Sequence, residues 1–328
     1  MTSRDADLTT LDDLYHLLHA CFGFPPRESV CAVALQGHRV GTHLRMDLPR
    51  ARSDVAQVGR RLAAHLVGQA AEQALVLTHS AEAEHARVCA LHVAEIVGAQ
   101  VDPVVVAWSD GVRAWSTDDP VDGERLSSGR DHRLLAQAVL SGRRLVEDRA
   151  AVEAAWDPDP AAAAVAAQHC ENAAWLLARD LVGWPAGDVD RRAGEELRRA
   201  ARSGPPDGVT CARLALWLTR PRVRDRVWSA VDPETADRWW SLMAHVARSV
   251  EGRHRAVPYA MAGYAAYVLG EGTHAACAFE RAEAAWPQYR MSASLRAALE
   301  AGVAPRRIHA MVRWSCREAS GLDDERAG

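Results

Sequence analysis

The sequence predicts an α/β domain on a mixed sheet followed by an α-helical domain, and three observations carry that prediction. Short apolar runs rich in strand formers, "VCAVALQG" (30–37), "ALVLTH" (74–79) and "PVVVAW" (103–108), alternate with helix-period segments through the first 120 residues. No segment from Ala150 onward has a strand pattern. Nine of the eleven tryptophans, at 156, 175, 184, 217, 228, 239, 240, 286 and 314, fall in that second part, interleaved with alanines as close helix packing requires.

The first helix carries Leu11, Leu14, Tyr15, Leu18 and Phe22 at helical spacing, with Thr9 or Thr10 as its cap and Gly23 at its left-handed end. "FGFPPRES" (22–29) follows; its two prolines force extended backbone and make it a rigid corner into the first strand. "HRVGTHLRMDLP" (38–49) returns as a hairpin partner and stops at Pro49. Val55, Val58, Leu62 and Leu66 mark one face of a helix over 51–69. After the strand 74–79, Ser80 is read as the cap of a helix with Glu82 and Glu84 in its first turn, closed by Gly98. "PVVVAWSDGVRAWS" (103–116) reads as a hairpin around Asp110-Gly111, giving about five strands. The division between domains is set at 1–150 and 151–328.

In the helical part, Asp159-Pro160 and Asp232-Pro233 each join an N-cap to a proline at the first helical position. "DRRAGEELRRAARSGPPDG" (190–208) reads as an exposed charged helix and a turn. The stretch 256–289 has the spacing of a tetratricopeptide-like helical hairpin: Tyr259, Ala262, Gly263 and Ala266, then Ala275, Phe279, Ala282 and Pro287. Gly263 and Ala275 are small where two antiparallel helices would touch, Phe279 fills the groove, and Thr273 is read as the second helix's cap. The pattern occurs once, so a hairpin is expected and not a solenoid. A helix over 290–301 completes the block.

Composition removes several chemistries. All 39 basic residues are arginine, which excludes a Schiff-base lysine, a P-loop lysine and a Ser–Lys dyad. The net charge of −4 gives no basic field for nucleic acid, and no run of about 18 apolar residues points to a membrane span. Seven cysteines, none in a C-x-x-C pair, read as buried thiols of a reducing compartment. "MTSRDADLTT" lacks a signal-peptide core, so a cytoplasmic location is expected.

Several phrases in order resemble one family. "FGFPPRESV" is similar to an opening signature of Gly-Phe, proline, serine and strand, "LRMDLP" (44–49) to an Arg-x-Asp-Leu-Pro phrase, and "VRD" (223–225) with "GEGTHAACAFERAEAAWPQYRMSASLRAALEAGVAP" (270–305) to a C-terminal block. Together they resemble the actinobacterial family of domain of unknown function 4192. The resemblance implies a fold and no activity. Pro26-Arg27 and Cys31-Ala32 depart from its pattern, which weakens a catalytic reading of the corner.

Each candidate site has a competing structural role. Ser29 sits where a loop enters a buried strand but has no G-x-S-x-G elbow, so a backbone-satisfying hydroxyl competes with a ligand-binding one. Arg45 and Asp47 share one face of a strand end and could orient an anionic ligand, or simply pair. His79, Glu82 and His85 could hold a metal, yet match no zinc spacing, and the helix dipole already explains the acids; His16, His19 and Cys21 are weaker still. No metal site and no cofactor is predicted. The arginines at 220, 222, 224 and 226 scatter around a helix and read as a solvated run with Arg224 or Asp225 paired, which argues against nucleic-acid binding. No G-x-G-x-x-G loop follows a strand.

The leading expectation is therefore a non-catalytic interaction or regulatory module, its protein partner unknown, binding along a groove marked by Tyr259, Tyr267 and Phe279. The alternative is a small-molecule or nucleotide-binding α/β protein, with its being an enzyme left open and its site at the strand ends at Ser29, Arg45, Asp47 and His79. Oligomeric state is left open.

Overall fold

The structure, a computed structural model, describes residues 8–37, 39–129 and 132–324. The chain divides into two compact units, Met1–Ala151 and Val152–Gly328. A mixed sheet belongs to the first, and only helices follow among the described residues of the second.

The first unit runs α1 (Leu11–Phe22), β1 (Ser29–Gln36), β2 (Arg39–Asp47), α2 (Arg52–Gly68), β3 (Gln73–His79), α3 (Ala83–Gly98), β4 (Asp102–Ser109), β5 (Arg113–Ser116), β6 (Glu124–Arg125) and α4 (Arg133–Leu140). Strand order is β2-β1-β3-β4-β5-β6. Only β3 and β4, joined through α3, run parallel; the other neighbours are antiparallel. The short β6 is a sixth strand that the sequence reading did not anticipate, because two residues carry no period.

Alternation sorts the sheet into two faces. Val30, Ala32, Ala34 and Val76 pack with Val55 and Leu62 of α2 and Val93 and Val97 of α3. The opposite face lies under α1 and α4, where Leu17 and Cys21 meet Leu134, and Ala20 meets Leu135 and Ala138. Thr10 caps α1 by accepting from the Asp13 N–H, and Gly23 ends it in the left-handed region. Ser80 does not cap α3. The helix starts at Ala83 with Glu82 as N-cap, and the Ser80 hydroxyl turns back to Glu28.

α5 (Arg149–Ala154) lies at the division in sequence. The second unit contains α6 (Pro160–Asp180), α7 (Ala186–Ala200), α8 (Gly208–Trp217), α9 (Pro221–Ala230), α10 (Ala236–Ser249), α11 (Ala256–Val268), α12 (Gly272–Ala285), α13 (Arg290–Glu300) and α14 (Pro305–Asp324). α11 is apolar all round and touches α10, α12, α13 and α14, so every residue from Ala256 to Tyr267 is buried. Glu271, not Thr273, precedes α12, with no side-chain cap bond. α7 is not a fully exposed charged helix: Val189, Asp190, Ala193, Gly194 and Leu197 are buried on one side. Asp190 is held there by Arg220 Nε at 2.7 Å. Arg224 pairs with Asp225 at 3.1 Å. No helix among the described residues is long and apolar enough to cross a membrane.

The expected partner groove is corrected by this packing. Tyr259, Tyr267 and Phe279 are 1%, 5% and 0% exposed. Tyr259 Oη donates to the Trp156 carbonyl at 2.7 Å, and Tyr267 Oη donates to that of Val303. Phe279 lies over Gly263, where a Cβ would stand 2.7 Å from its ring. The three side chains that looked like groove anchors are core, because α11 is covered on every side and not on one.

Candidate functional site

The antiparallel β1 begins where β2 and β3 end, which brings their terminal residues into one row. Ser29 stands opposite Asp47 on one side and His79 on the other, and His79 stands opposite Ser109. Arg45 lies one row inward, opposite Cys31. Period-two alternation places all five on the face under α1. The row lies at the carboxyl ends of the parallel pair β3 and β4. There the chain enters β1 from α1 and leaves β3 for α3 on the opposite face, the arrangement that opens a crevice in α/β sheets.

Each side chain is held by identifiable contacts. Ser29 is buried, and its hydroxyl donates to the Pro26 carbonyl at 2.7 Å and lies 3.5 Å from Cys31 Sγ. It fastens the corner and is no nucleophile. Cys31 is no nucleophile either, since burial pushes its thiol up to about 11. Arg45 donates from Nη1 to Asp47 Oδ1 at 2.9 Å and from Nη2 to the Arg27 carbonyl at 3.3 Å, while its guanidinium sits 5.5 Å from the Phe24 ring centre. Its buried Nε has no acceptor among the described residues. Asp47 is open to solvent, with Arg149 at 3.8 Å.

His79 is the most constrained member. It is buried, and its Nδ1 accepts from the Glu28 N–H at 3.2 Å, so the neutral ring carries its proton on Nε2. Burial lowers its pKa against the opposing pull of Glu28. Nε2 faces Gly111, whose φ of +88° and absent Cβ, which would stand 3.0 Å away, leave that edge of the ring clear. Tyr15 of α1 lies 6.1 Å from the same ring. Gly111→Ala is expected to cost about 1–2 kcal/mol in urea unfolding through left-handed strain. It should also shift the His79 ring signals in NMR, because the new methyl displaces the imidazole.

Glu28 was missed by sequence reasoning. It holds a positive φ of 42°, and its carboxylate accepts from the Ala81 N–H at 2.8 Å and the Ser80 hydroxyl at 3.2 Å. One side chain thus bridges the entry to β1 and the exit from β3. A glutamate between two prolines and a strand carries no local signal for this, since its partner lies 53 residues away in sequence.

The arrangement can bind and orient, but it contains no base poised on a nucleophile. It gathers donors: His79 Nε2, Arg45 Nε and the exposed Arg27. His79, Glu82 and His85 are not gathered into a metal trio, because His79 bonds to Glu28 and His85 Nε2 lies 3.0 Å from the Pro49 carbonyl. The group that does come together is Asp12, His16 and His132. Its two rings stack 4.1 Å apart with an interplanar angle of 13°, so their in-plane lone pairs run side by side and do not converge on one ion.

A cavity of about 930 Å³ lies toward the other end of the same sheet face, over Leu14, Leu35, Val40, Leu75 and Val105. Its polar neighbours are already engaged: Thr9 and Thr10 with Asp13, Gln73 with Asp102, Ser116 and Asp119 with nearby N–H groups, and Glu124 with the Leu11 N–H. It offers burial without direction, and the polar row remains the better site.

A family model described as Domain of unknown function (DUF4192) matches residues 13–306, a span that includes both units. No curated protein and no solved structure matches the chain.

Proposed function

The chain belongs to the DUF4192 family, a domain of unknown function, and from that premise we propose that its first unit binds a small, acceptor-rich anionic ligand at the carboxyl end of the sheet. The observation that carries this reading is the row Asp47–Ser29–His79–Ser109, with Arg45 beside it, at the mouth between the β1 entry and the β3 exit. His79 Nε2–H, Arg45 and Arg27 would meet the ligand's oxygens; Ser29 holds the corner in register. Glu28 would close or open the mouth through its bridge to Ser80 and Ala81. The partner-binding reading rested on an exposed hairpin, and burial of Tyr259, Tyr267 and Phe279 removes that support. The tetratricopeptide-like spacing then serves as a packing device in the second unit. The buried thiols at 21, 31, 89, 211 and 277 fit a cytoplasmic setting.

The test is thermal unfolding of the full chain with nucleotides, sugar phosphates and dicarboxylates, each at millimolar concentration. A ligand at 100 times its Kd adds about 2.7 kcal/mol, a rise of roughly 5–11 °C for units of this size. One class is expected to produce that rise, and His79→Gln and Arg45→Gln to abolish it. A flat response across the panel, or a rise that both variants retain, would sink the reading.

A further inference from the structure

α1 and α4 meet through two imidazoles. His16, in the middle of α1, is 2% exposed, and its Nδ1 lies 2.9 Å from the Asp12 carbonyl and 3.0 Å from Asp12 Oδ1, so Nδ1 carries the proton. His132 caps α4: its Nδ1 accepts from the Leu134 N–H at 3.3 Å, so in that ring the proton sits on Nε2. The Nε2 atom lies 3.7 Å from Asp12 Oδ2 and 3.6 Å from Asp13 Oδ1. The rings stack face to face at 4.1 Å, and Gly129 leaves space beside His16, where a Cβ would come within 3.1 Å of Nε2.

The stack is built for a neutral ring at His132. A proton on His132 Nδ1 would destroy the acceptor that caps α4 and would place positive charge at the positive end of that helix. It would also set that charge against the face of a buried imidazole. The surrounding charges do not remove this conflict. Asp12 and Asp13 favour a proton on His132, but Asp13 is already engaged by Arg133 at 2.9 Å and by Thr9. His19 lies 6.4 Å from His16 on the same helix. Arg27, from the corner after α1, opposes protonation of His19. Glu124 of β6 is spent on the Leu11 N–H at 2.8 Å.

We propose that the contact between α1 and α4 is a proton-operated latch, closed while His132 is neutral and opened when His132 takes a proton on Nδ1. Burial, followed by the neighbouring His16, lowers the His132 pKa below 6.5 in the folded chain. Its contribution is therefore complete above about pH 6.5 and is lost as pH falls from there. The latch does not depend on the ligand reading above.

Peptide-resolved hydrogen exchange on the full chain at pH 7.5 and 5.5, corrected for chemical exchange, tests it. The α4 amides are expected to lose protection about five- to tenfold at the lower pH, the scale of one lost cap. His132→Asn, which keeps an acceptor at the cap but does not titrate, is expected to abolish the loss. An equal loss in that variant, or unchanged protection in the wild type, overturns the latch. Nitrogen NMR of His132 in the wild type gives a second readout that needs no variant. An Nε2–H ring titrating below pH 6.5 is expected; an Nδ1–H ring, or a midpoint at or above 6.5, overturns it.

Discussion

Gly263→Val is expected to destabilise the second unit by about 3–5 kcal/mol, or to prevent its folding. A Cβ at Gly263 would stand 2.7 and 2.8 Å from two ring atoms of Phe279 and 3.0 Å from the Ala278 Cβ. Phe279 is fully buried and cannot swing into solvent, and Ala278 belongs to the facing helix. Something must therefore shift along the seam between α11 and α12. Gly263→Ala makes the same contacts with one carbon, and a helix-propensity gain of about 1 kcal/mol offsets part of an overpacking cost of about 1–3 kcal/mol. Urea unfolding followed by tryptophan fluorescence reads both, since most tryptophans lie in this unit. A double-mutant cycle of Gly263→Ala with Phe279→Leu should show favourable coupling of about 0.5–3 kcal/mol, because the smaller side chain makes room for the methyl. Normal stability of the valine variant would mean that the two helices do not approach this closely.

Acid is expected to weaken the first unit by about 4 kcal/mol between pH 6.5 and pH 4 through two histidines, a fall that begins well before its carboxylates take up protons. Burial, then His16 and Arg27, pull His19 down to about 4; burial, then Arg143, pull His43 down to about 4. In the unfolded chain both titrate near 6.5. Above that pH neither state is protonated and nothing is lost. Below it the unfolded chain gains protons that the folded chain refuses, so stability falls until about pH 4 and then levels off. Each residue carries roughly 2 kcal/mol once solvent screening is discounted at both half-buried side chains. His19→Gln with His43→Gln should flatten the fall when exchange protection of β1 and β3 is followed in the full chain. Protection that holds steady from pH 6.5 to 4.5 would contradict the neutral, half-buried state of these rings.

The elements of the first unit were legible because their signals are local. The Thr10 cap, the Gly23 stop, the Pro25-Pro26 corner and the apolar runs each act through neighbouring backbone. The Ser80 and Thr273 caps failed for a related reason. A hydroxyl near a helix start reads as a cap in sequence, but at Ser80 a glutamate 52 residues away in the chain captured the hydroxyl instead. Asp190 reads as solvated among its charged neighbours in sequence, but Arg220 pairs with it and holds it buried.

By itself the sequence determined the order of elements, the absence of lysine chemistry and the small-against-large matching of Gly263 with Phe279, because composition and periodicity act over a few residues at a time. Only the tertiary structure decided that the hairpin is core, that Glu28 spans the mouth of the sheet, and that His16 and His132 share one stack. Those outcomes depend on which faces meet. Burial of α11 requires α10, α12, α13 and α14 to arrive around it, and strand register, not chain order, sets Ser29 between Asp47 and His79.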